Sequence, residues 1–144
     1  MPPSERFFID PALIQAYRET DYIVHAGPDF VLRIDRPCPA LAAYYTRRHI
    51  AAACVITAWN PFSQPLPCAE NQARQSRLEQ VLQQAGWQSI PAVGRHPTNG
   101  WPPEAGCFVE DMGEEAAREW GRIYEQNAVV WCGKDAIPRL LMRR

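Results

Sequence analysis

The chain lacks the features that mark membrane proteins and disulfide-stabilised secreted proteins. Its longest apolar run, Ile50 to Trp59, has about half the length that a membrane-spanning helix needs. The residues from Met1 to Arg6 carry prolines and charges ahead of a short apolar stretch, a pattern unlike a signal peptide. The 5 cysteines are odd in number and form no C-x-x-C pair. We therefore expect a cytoplasmic protein with reduced cysteines and no membrane association.

The sequence also lacks the groupings typical of metal sites, cofactor sites and nucleic-acid interfaces. Its histidines stand singly and share no zinc-ligand spacing with the cysteines, and no P-loop, Rossmann or Ser-His-Asp signature is present. A net charge of -1, with Lys134 as the sole lysine, gives no general attraction to a polyanion. We expect no metal, no cofactor and no nucleic-acid partner, and the oligomeric state stays open.

Length and composition indicate one globular domain over residues 1–144. Hydrophobic residues make up 47% of the chain and charged residues 22%, which excludes disorder. A chain of this length buries roughly two thirds of its unfolded surface, enough for a real core.

Turn residues and apolar periodicity divide the chain into helices and strands. Helices are predicted after the N-cap Asp10 and over Ala40 to Arg48, Ala69 to Ala85 and Glu114 to Tyr124. Strands are predicted over Tyr22 to His25, Phe30 to Ile34, Cys54 to Trp59, Trp87 to Val93, Ala105 to Val109, Ala128 to Trp131 and Ile137 to Leu141. Two of these strands are apolar on both faces and should lie inside the sheet; they are Cys54 to Trp59 and Ala128 to Trp131.

This element order predicts an α+β fold. From residue 54 to residue 131 it follows the ferredoxin-like βαββαβ pattern, with antiparallel strands and helices on one face. A helix-hairpin-helix extension precedes this core and a C-terminal strand follows it. A three-layer mixed α/β sheet is the alternative.

The end of the central strand is the best candidate for a polar site. The strand stops at Asn60-Pro61 and leads through a proline-rich loop into a helix, an arrangement where α/β proteins often bind ligands. In that helix Asn71 and Arg74 fall on the side of the apolar stripe, whereas Gln75 falls at its margin or outside it. Glu104, which follows a long loop, is the carboxylate expected to pair with Arg74.

These observations leave three functional hypotheses open. The first is binding of a small polar or anionic ligand at the strand end, by Thr57, Asn60, Asn71, Arg74 and Gln126. The second is a small enzyme in which Glu104 or His96 acts as the general base. The third is a protein-interaction or regulatory subunit that uses Trp87 and Trp101. The abundance of amides and the lack of paired acid and base groups favour the binding hypothesis.

Several segments also resemble a known family of small bacterial proteins. They are Tyr17-Arg-Glu-Thr-Asp-Tyr22, Phe30-Val-Leu-Arg-Ile34, Ile56-Thr-Ala-Trp-Asn-Pro61 with Asn71 and Leu78, Glu104, and Gln126-Asn-Ala-Val129. Together they resemble domain of unknown function family 3293 over nearly the whole chain. The resemblance implies one bacterial domain and brings no established activity.

Overall fold

The computed structural model describes residues 10–142, which contain four α-helices, seven β-strands and a short 3₁₀ turn at Pro61–Ser63. In chain order they are α1 (Pro11–Glu19), β1 (Asp21–Val24), β2 (Phe30–Leu32), α2 (Pro39–Arg48), β3 (Ala53–Ile56), α3 (Cys68–Gln84), β4 (Ser89–Arg95), β5 (Glu104–Glu110), α4 (Glu114–Ile123), β6 (Ala128–Cys132) and β7 (Pro138–Met142). The segment from Met1 to Arg6, on which the signal-peptide expectation rests, lies outside the described residues.

The seven strands form one sheet in the order β2-β1-β4-β5-β3-β6-β7. Every pairing between neighbouring strands in residues 10–142 is antiparallel. The predicted α+β class is confirmed. The alternative, a three-layer mixed α/β sheet, is wrong about the sheet, which pairs antiparallel throughout the described residues. β3 lies between β5 and β6, and β6 lies between β3 and β7, so the predicted inner positions of both apolar strands are confirmed.

The alternating side chains of β3 divide the core into two layers. Cys54 and Ile56 pack with Leu78 and Leu82 of α3 and with Ala117 of α4. Val55 and Ala53 point the other way and pack with the buried side chains of α2, which are Leu41, Tyr44 and Tyr45. Helices therefore cover both faces of the sheet, because a strand that is apolar on both faces needs a partner on each side.

The sheet curls so that its two ends approach each other. The backbone N–H of Asp35, just after β2, donates to the carbonyl oxygen of Pro138 in β7 at 2.7 Å. The Tyr45 hydroxyl, on α2, donates to the carbonyl oxygens of Cys132 and Gly133. α2 thus fills one part of the concave face, and α1 covers another part of it.

The helical periodicity of α4 predicts that its inward face consists of Ala116, Ala117, Trp120, Ile123 and Tyr124. For Ile123 this prediction is wrong, because its side chain is 57% exposed. The residues of α4 that are fully buried are Ala117 and Gly121. At 3.6 residues per turn, Ile123 lies roughly 100° or more from the line through those two residues, so its side chain points away from the sheet.

Candidate functional site

The segment that follows β3 is held by side chains from two directions. The Thr57 hydroxyl donates to the carbonyl oxygen of Ala105 in β5 and accepts from the N–H of Trp59 at 3.0 Å. The N–H of Ala58 donates to the Gln75 side-chain carbonyl of α3 at 3.0 Å. The chain leaves β3 with its backbone fixed between β5 and α3, so the hydroxyl of Thr57 is used structurally.

Asn60 connects this segment to the start of α3. It has a left-handed backbone (φ 47°), which Asn tolerates better than most residues, and it is 7% exposed. Its Oδ1 accepts from the N–H of Leu66 at 3.0 Å and from Nδ2 of Asn71 at 2.7 Å. The N–H of Asn60 in turn donates to Oδ1 of Asn71. Asn71 thus points inward as predicted, and its contacts hold the loop in place.

The sequence predicts that Gln75 lies at the margin of the apolar stripe of α3 or outside it, and this prediction is wrong. It is 3% exposed, and its Nε2 donates to the sulfur of Cys107 at 3.3 Å. The buried positions of α3 are Asn71, Gln75, Leu78 and Leu82. This spacing of four, three and four residues is a regular helix stripe. Gln75 lies one turn before the apolar pair Leu78 and Leu82, and Asn71 lies two turns before it. This periodicity was the signal in the sequence that could have identified Gln75 as buried.

Arg74 supports the same segment from outside the cavity described below. Its Nε donates to the carbonyl oxygen of Ala58 at 2.8 Å, and one terminal nitrogen donates to that of Tyr124 at 3.2 Å. Its guanidinium also approaches the carboxylate of Glu125 at 3.7 Å. The expected ion pair between Arg74 and Glu104 is wrong. The guanidinium contacts the two carbonyl oxygens and Glu125, whereas Glu104 accepts hydrogen bonds from Asn60 and Trp101.

A cavity of about 180 Å³ lies on the concave face beneath α1. Its wall combines apolar side chains of the sheet, such as Val55 and Leu140, with polar groups from several elements. Among the residues proposed from sequence, those in its wall are Thr57, Asn60, His96, Glu104 and Gln126. Asn71 and Arg74 are not part of the wall, so the structure brings five of the seven candidates together at one cavity.

Glu104 is the carboxylate of this wall. Its Oε2 accepts from the indole N–H of Trp101 at 2.7 Å and from Nδ2 of Asn60 at 3.4 Å. Burial raises the pKa of Glu104, and the two hydrogen bonds, which favour the charged form, oppose that rise. We call the hydrogen-bonded pair of Asn60 and Asn71 the clamp. The clamp has a second role, since Nδ2 of Asn60 orients the carboxylate at the cavity.

Two hydroxyl groups in the wall were missed by the sequence analysis. The hydroxyl of Tyr17, on α1, lies 3.0 Å from Oγ of Ser63, which also accepts from Nδ2 of Asn127 at 2.9 Å. Burial raises the pKa of Tyr17, the hydrogen bond to Ser63 lowers it, and the charge of Glu104 raises it further. Ser63 has a left-handed backbone (φ 59°), but nothing in the sequence indicated that α1 would lie over it.

His96 and Gln126 line the cavity with polar atoms that already have partners. Nδ1 of His96 accepts from the N–H groups of Thr98 and Asn99, and Nε2 lies 3.0 Å from a carboxylate oxygen of Glu19. Both ring nitrogens are therefore engaged within the described residues. Nε2 of Gln126 donates to the carbonyl oxygens of Trp59 and Tyr124.

Residues 10–142 contain neither a metal-ion site nor a membrane-spanning helix. No group of three or more His, Cys, Asp or Glu side chains in this range has an arrangement that fits a metal ion. No helix of the same range is both long enough and apolar enough to cross a membrane. The polar cavity beneath α1 is the candidate site because it brings together five of the seven residues predicted from the sequence.

Sequence comparison agrees with the family resemblance. No curated protein and no solved structure matches the chain. The model of the family described as "Protein of unknown function (DUF3293)" matches residues 56–129, a span that starts at the end of β3 and includes the clamp and Glu104. This match covers more than half of the sequence, and the chain therefore belongs to the DUF3293 family.

Proposed function

We propose that this protein binds a small polar ligand in the cavity beneath α1. The observation that carries the proposal is the position of Glu104, a partly buried carboxylate that is oriented by Trp101 and Asn60 and exposed to a preformed cavity. Concave sites with apolar walls and a few oriented polar groups are the usual form of small-molecule sites. Removing a carboxylate from water costs free energy, and hydrogen bonds from a bound ligand can offset that cost.

The same geometry argues against the anionic ligand considered from sequence. Arg74, the cation expected to hold such a ligand, contacts main-chain carbonyls and Glu125. An anion in the cavity would face the carboxylate of Glu104 instead. The proposal is therefore narrowed to polar ligands without negative charge.

A screen of small polar compounds by thermal shift, followed by calorimetry on the hits, tests the proposal. Ala16 lines the cavity from α1, and Ala16→Phe should fill the space and remove the binding of every hit. Ala73→Phe makes the same change on the exposed side of α3 and should leave binding unchanged. The proposal fails if no compound binds, or if both variants bind each hit as the wild type does.

An enzyme is the second candidate, favoured by one observation. Burial raises the pKa of Glu104, which brings a carboxyl group closer to the range useful for general acid-base catalysis. Glu104 is then the catalytic candidate, whereas both nitrogens of His96 have partners among the described residues. Incubation of each binding compound with the wild type and with Glu104→Gln, analysed by mass spectrometry, would detect turnover that depends on this carboxyl group.

The tryptophans give less support to an interaction subunit. Trp87 is partly buried and packs against the core beside α3, so it offers little surface to a partner. Trp101 is 42% exposed, but its indole N–H is used by Glu104.

We also propose that the region from β3 to β6 is a ferredoxin-like core. The support is topological: β4, β5, β3 and β6 are consecutive in the sheet and pair antiparallel, while α3 and α4 pack on the same face of β3. In this view α1, β1, β2 and α2 extend the sheet and form the concave side that holds the cavity.

A further inference from the structure

The described residues of the cavity wall carry negative charge and no balancing lysine or arginine. Within residues 10–142, Glu104 is the single Asp, Glu, Lys or Arg side chain of the wall. His96 also lines the cavity, but Nε2 of His96 is directed to Glu19 and Nδ1 to two backbone N–H groups. Of the described residues, a ligand that enters the cavity therefore meets one carboxylate and no lysine or arginine.

The two oxygens of the Glu104 carboxylate differ in their hydrogen bonds to the described residues. The hydrogen bonds that it accepts from the described residues, from Trp101 and Asn60, both end on Oε2. Oε1 accepts none from the described residues. Carboxylate oxygens accept their strongest hydrogen bonds from charged N–H donors, and this interaction is strengthened where water is excluded.

Aromatic side chains surround the same space. Tyr17, Tyr22 and Trp101 line the cavity with Glu104, and Tyr22 is almost fully buried. Aromatic rings attract cations through their quadrupole. The cavity, at about 180 Å³, also exceeds the roughly 150 Å³ that accommodates a benzene molecule in an apolar cavity.

We propose that the cavity selects a small organic cation that carries N–H donors, such as a primary ammonium group. Its N–H groups donate to Oε1 of Glu104, and its carbon atoms contact Tyr17, Tyr22 and Trp101. The inference rests on the proposed function and adds the charge of the ligand to it. A neutral polar ligand would satisfy the proposed function but not this inference.

Three compounds of nearly equal shape and different charge separate these cases. They are benzylammonium chloride, benzyl alcohol and sodium benzoate, each titrated by calorimetry up to about 10 mM at constant ionic strength. We expect benzylammonium to bind about tenfold or more tightly than benzyl alcohol, and benzoate to bind weakest. Tetramethylammonium, a cation without N–H donors, should bind more weakly than benzylammonium.

Variants of Glu104 assign the effect to its charge. Glu104→Gln should weaken benzylammonium binding about tenfold or more and weaken benzyl alcohol binding by a much smaller factor, because the amide oxygen still accepts from a hydroxyl but carries no charge. Glu115→Gln removes a carboxylate from the exposed side of α4 and should change neither. Circular dichroism and the melting temperature of each variant show that the protein remains folded.

The outcomes separate the inference from the proposed function. Equal binding of the alcohol and the ammonium compound, both abolished by Ala16→Phe, would overturn the inference and leave the proposed function standing. Unchanged benzylammonium binding in Glu104→Gln, or tighter binding of benzoate, would also overturn the inference. If none of these compounds binds the wild type, the inference is wrong, and the wider screen decides the proposed function.

Discussion

Asn60 and Asn71 are joined by two reciprocal hydrogen bonds. The backbone N–H of Asn60 donates to Oδ1 of Asn71 at 2.8 Å, and Nδ2 of Asn71 donates to Oδ1 of Asn60 at 2.7 Å. Both residues are buried, and Nδ2 of Asn71 also reaches the carbonyl oxygen of Leu66 at 3.2 Å. The Asn71 side chain of α3 thus fixes the loop that contains Asn60, and Asn60 in turn contacts Glu104.

We predict that Asn71→Ala lowers the free energy of unfolding by about 2–4 kcal/mol. Each buried polar group that loses its partner costs about 1–3 kcal/mol, and this change leaves groups of Asn60 and Leu66 unpaired. Urea unfolding followed by tryptophan fluorescence measures the loss. The control Gln72→Ala, on the exposed side of α3, should stay within about 0.5 kcal/mol of the wild type. Equal losses in both variants would contradict the structural role.

The sequence predicted the elements near the clamp better than the contacts between them. The sequence predicts α3 over Ala69 to Ala85, and the helix spans Cys68–Gln84. The prediction is accurate because the apolar stripe and the glycine that follows the helix are local signals. The strand predicted as Cys54 to Trp59 ends at Ile56. Beyond Ile56, the Thr57 hydroxyl donates to Ala105 and the N–H of Ala58 donates to the side chain of Gln75. Both partners are distant in sequence, so no local pattern indicates these contacts.

The cavity illustrates the same limit. Thr57, Asn60 and Gln126 were predicted at strand ends and do line it, because strand ends meet at one edge of a sheet. The contributions of Tyr17 and Ser63 depend on how α1 crosses the curled sheet. No residue of α1 is fully buried. The apolar face of a helix shows that the helix packs on something but does not specify which part of the sheet it covers, so the sequence gave no indication of that position.

Arg74 provides a second prediction, which separates its structural contacts from ligand binding. Arg74→Ala removes the hydrogen bonds to the carbonyl oxygens of Ala58 and Tyr124, and we expect a loss of about 1–3 kcal/mol in unfolding free energy. The affinity of any compound that binds the cavity should change by less than about threefold, since Arg74 is outside its wall. Arg77→Ala, on the exposed side of α3, is the matched control. Loss of affinity without loss of stability would show that Arg74 contacts the ligand.

The third prediction concerns the pH dependence that Glu104 contributes. Its pKa in the folded protein is raised above the ordinary value of 4.5, so the folded state binds its proton more tightly than the unfolded state. The wild type should therefore lose stability relative to Glu104→Gln as pH rises from below 4.5 through the raised pKa, and the difference should then level off. Of the groups that face Glu104, Tyr17 and Tyr22 have raised pKa values and stay neutral throughout, and His96 is present in both proteins.

Urea unfolding of both proteins at matched ionic strength, over a pH series from about 4 to 8, gives this difference directly. A difference that does not vary with pH would show that the carboxyl group is equally solvated in both states. A wild type that gains stability relative to the variant with rising pH would mean that the pKa is lowered on folding, the opposite of the prediction.

The last prediction tests how closely α4 packs on β6, the strand that brings Ala128 and Val129 into the cavity wall. A Cβ atom at Gly121 would lie 2.6 Å from Cγ1 of Val129, closer than two carbon atoms can approach. The branched Val129 side chain is buried and has few alternative rotamers, so α4 would have to move. Gly121→Ala should therefore destabilise the protein by about 1–3 kcal/mol, although alanine is more favourable than glycine in a helix by about 1 kcal/mol.

Gly113→Ala, where a Cβ meets nothing within 4 Å, is the control and should be nearly neutral. Adding Val129→Ala to Gly121→Ala should recover part of the loss, because Cγ1 of Val129, the atom that the added Cβ would meet, is removed. Thermal unfolding of the wild type, the two single variants and the double variant measures this coupling, and strictly additive losses would show that the contact is absent.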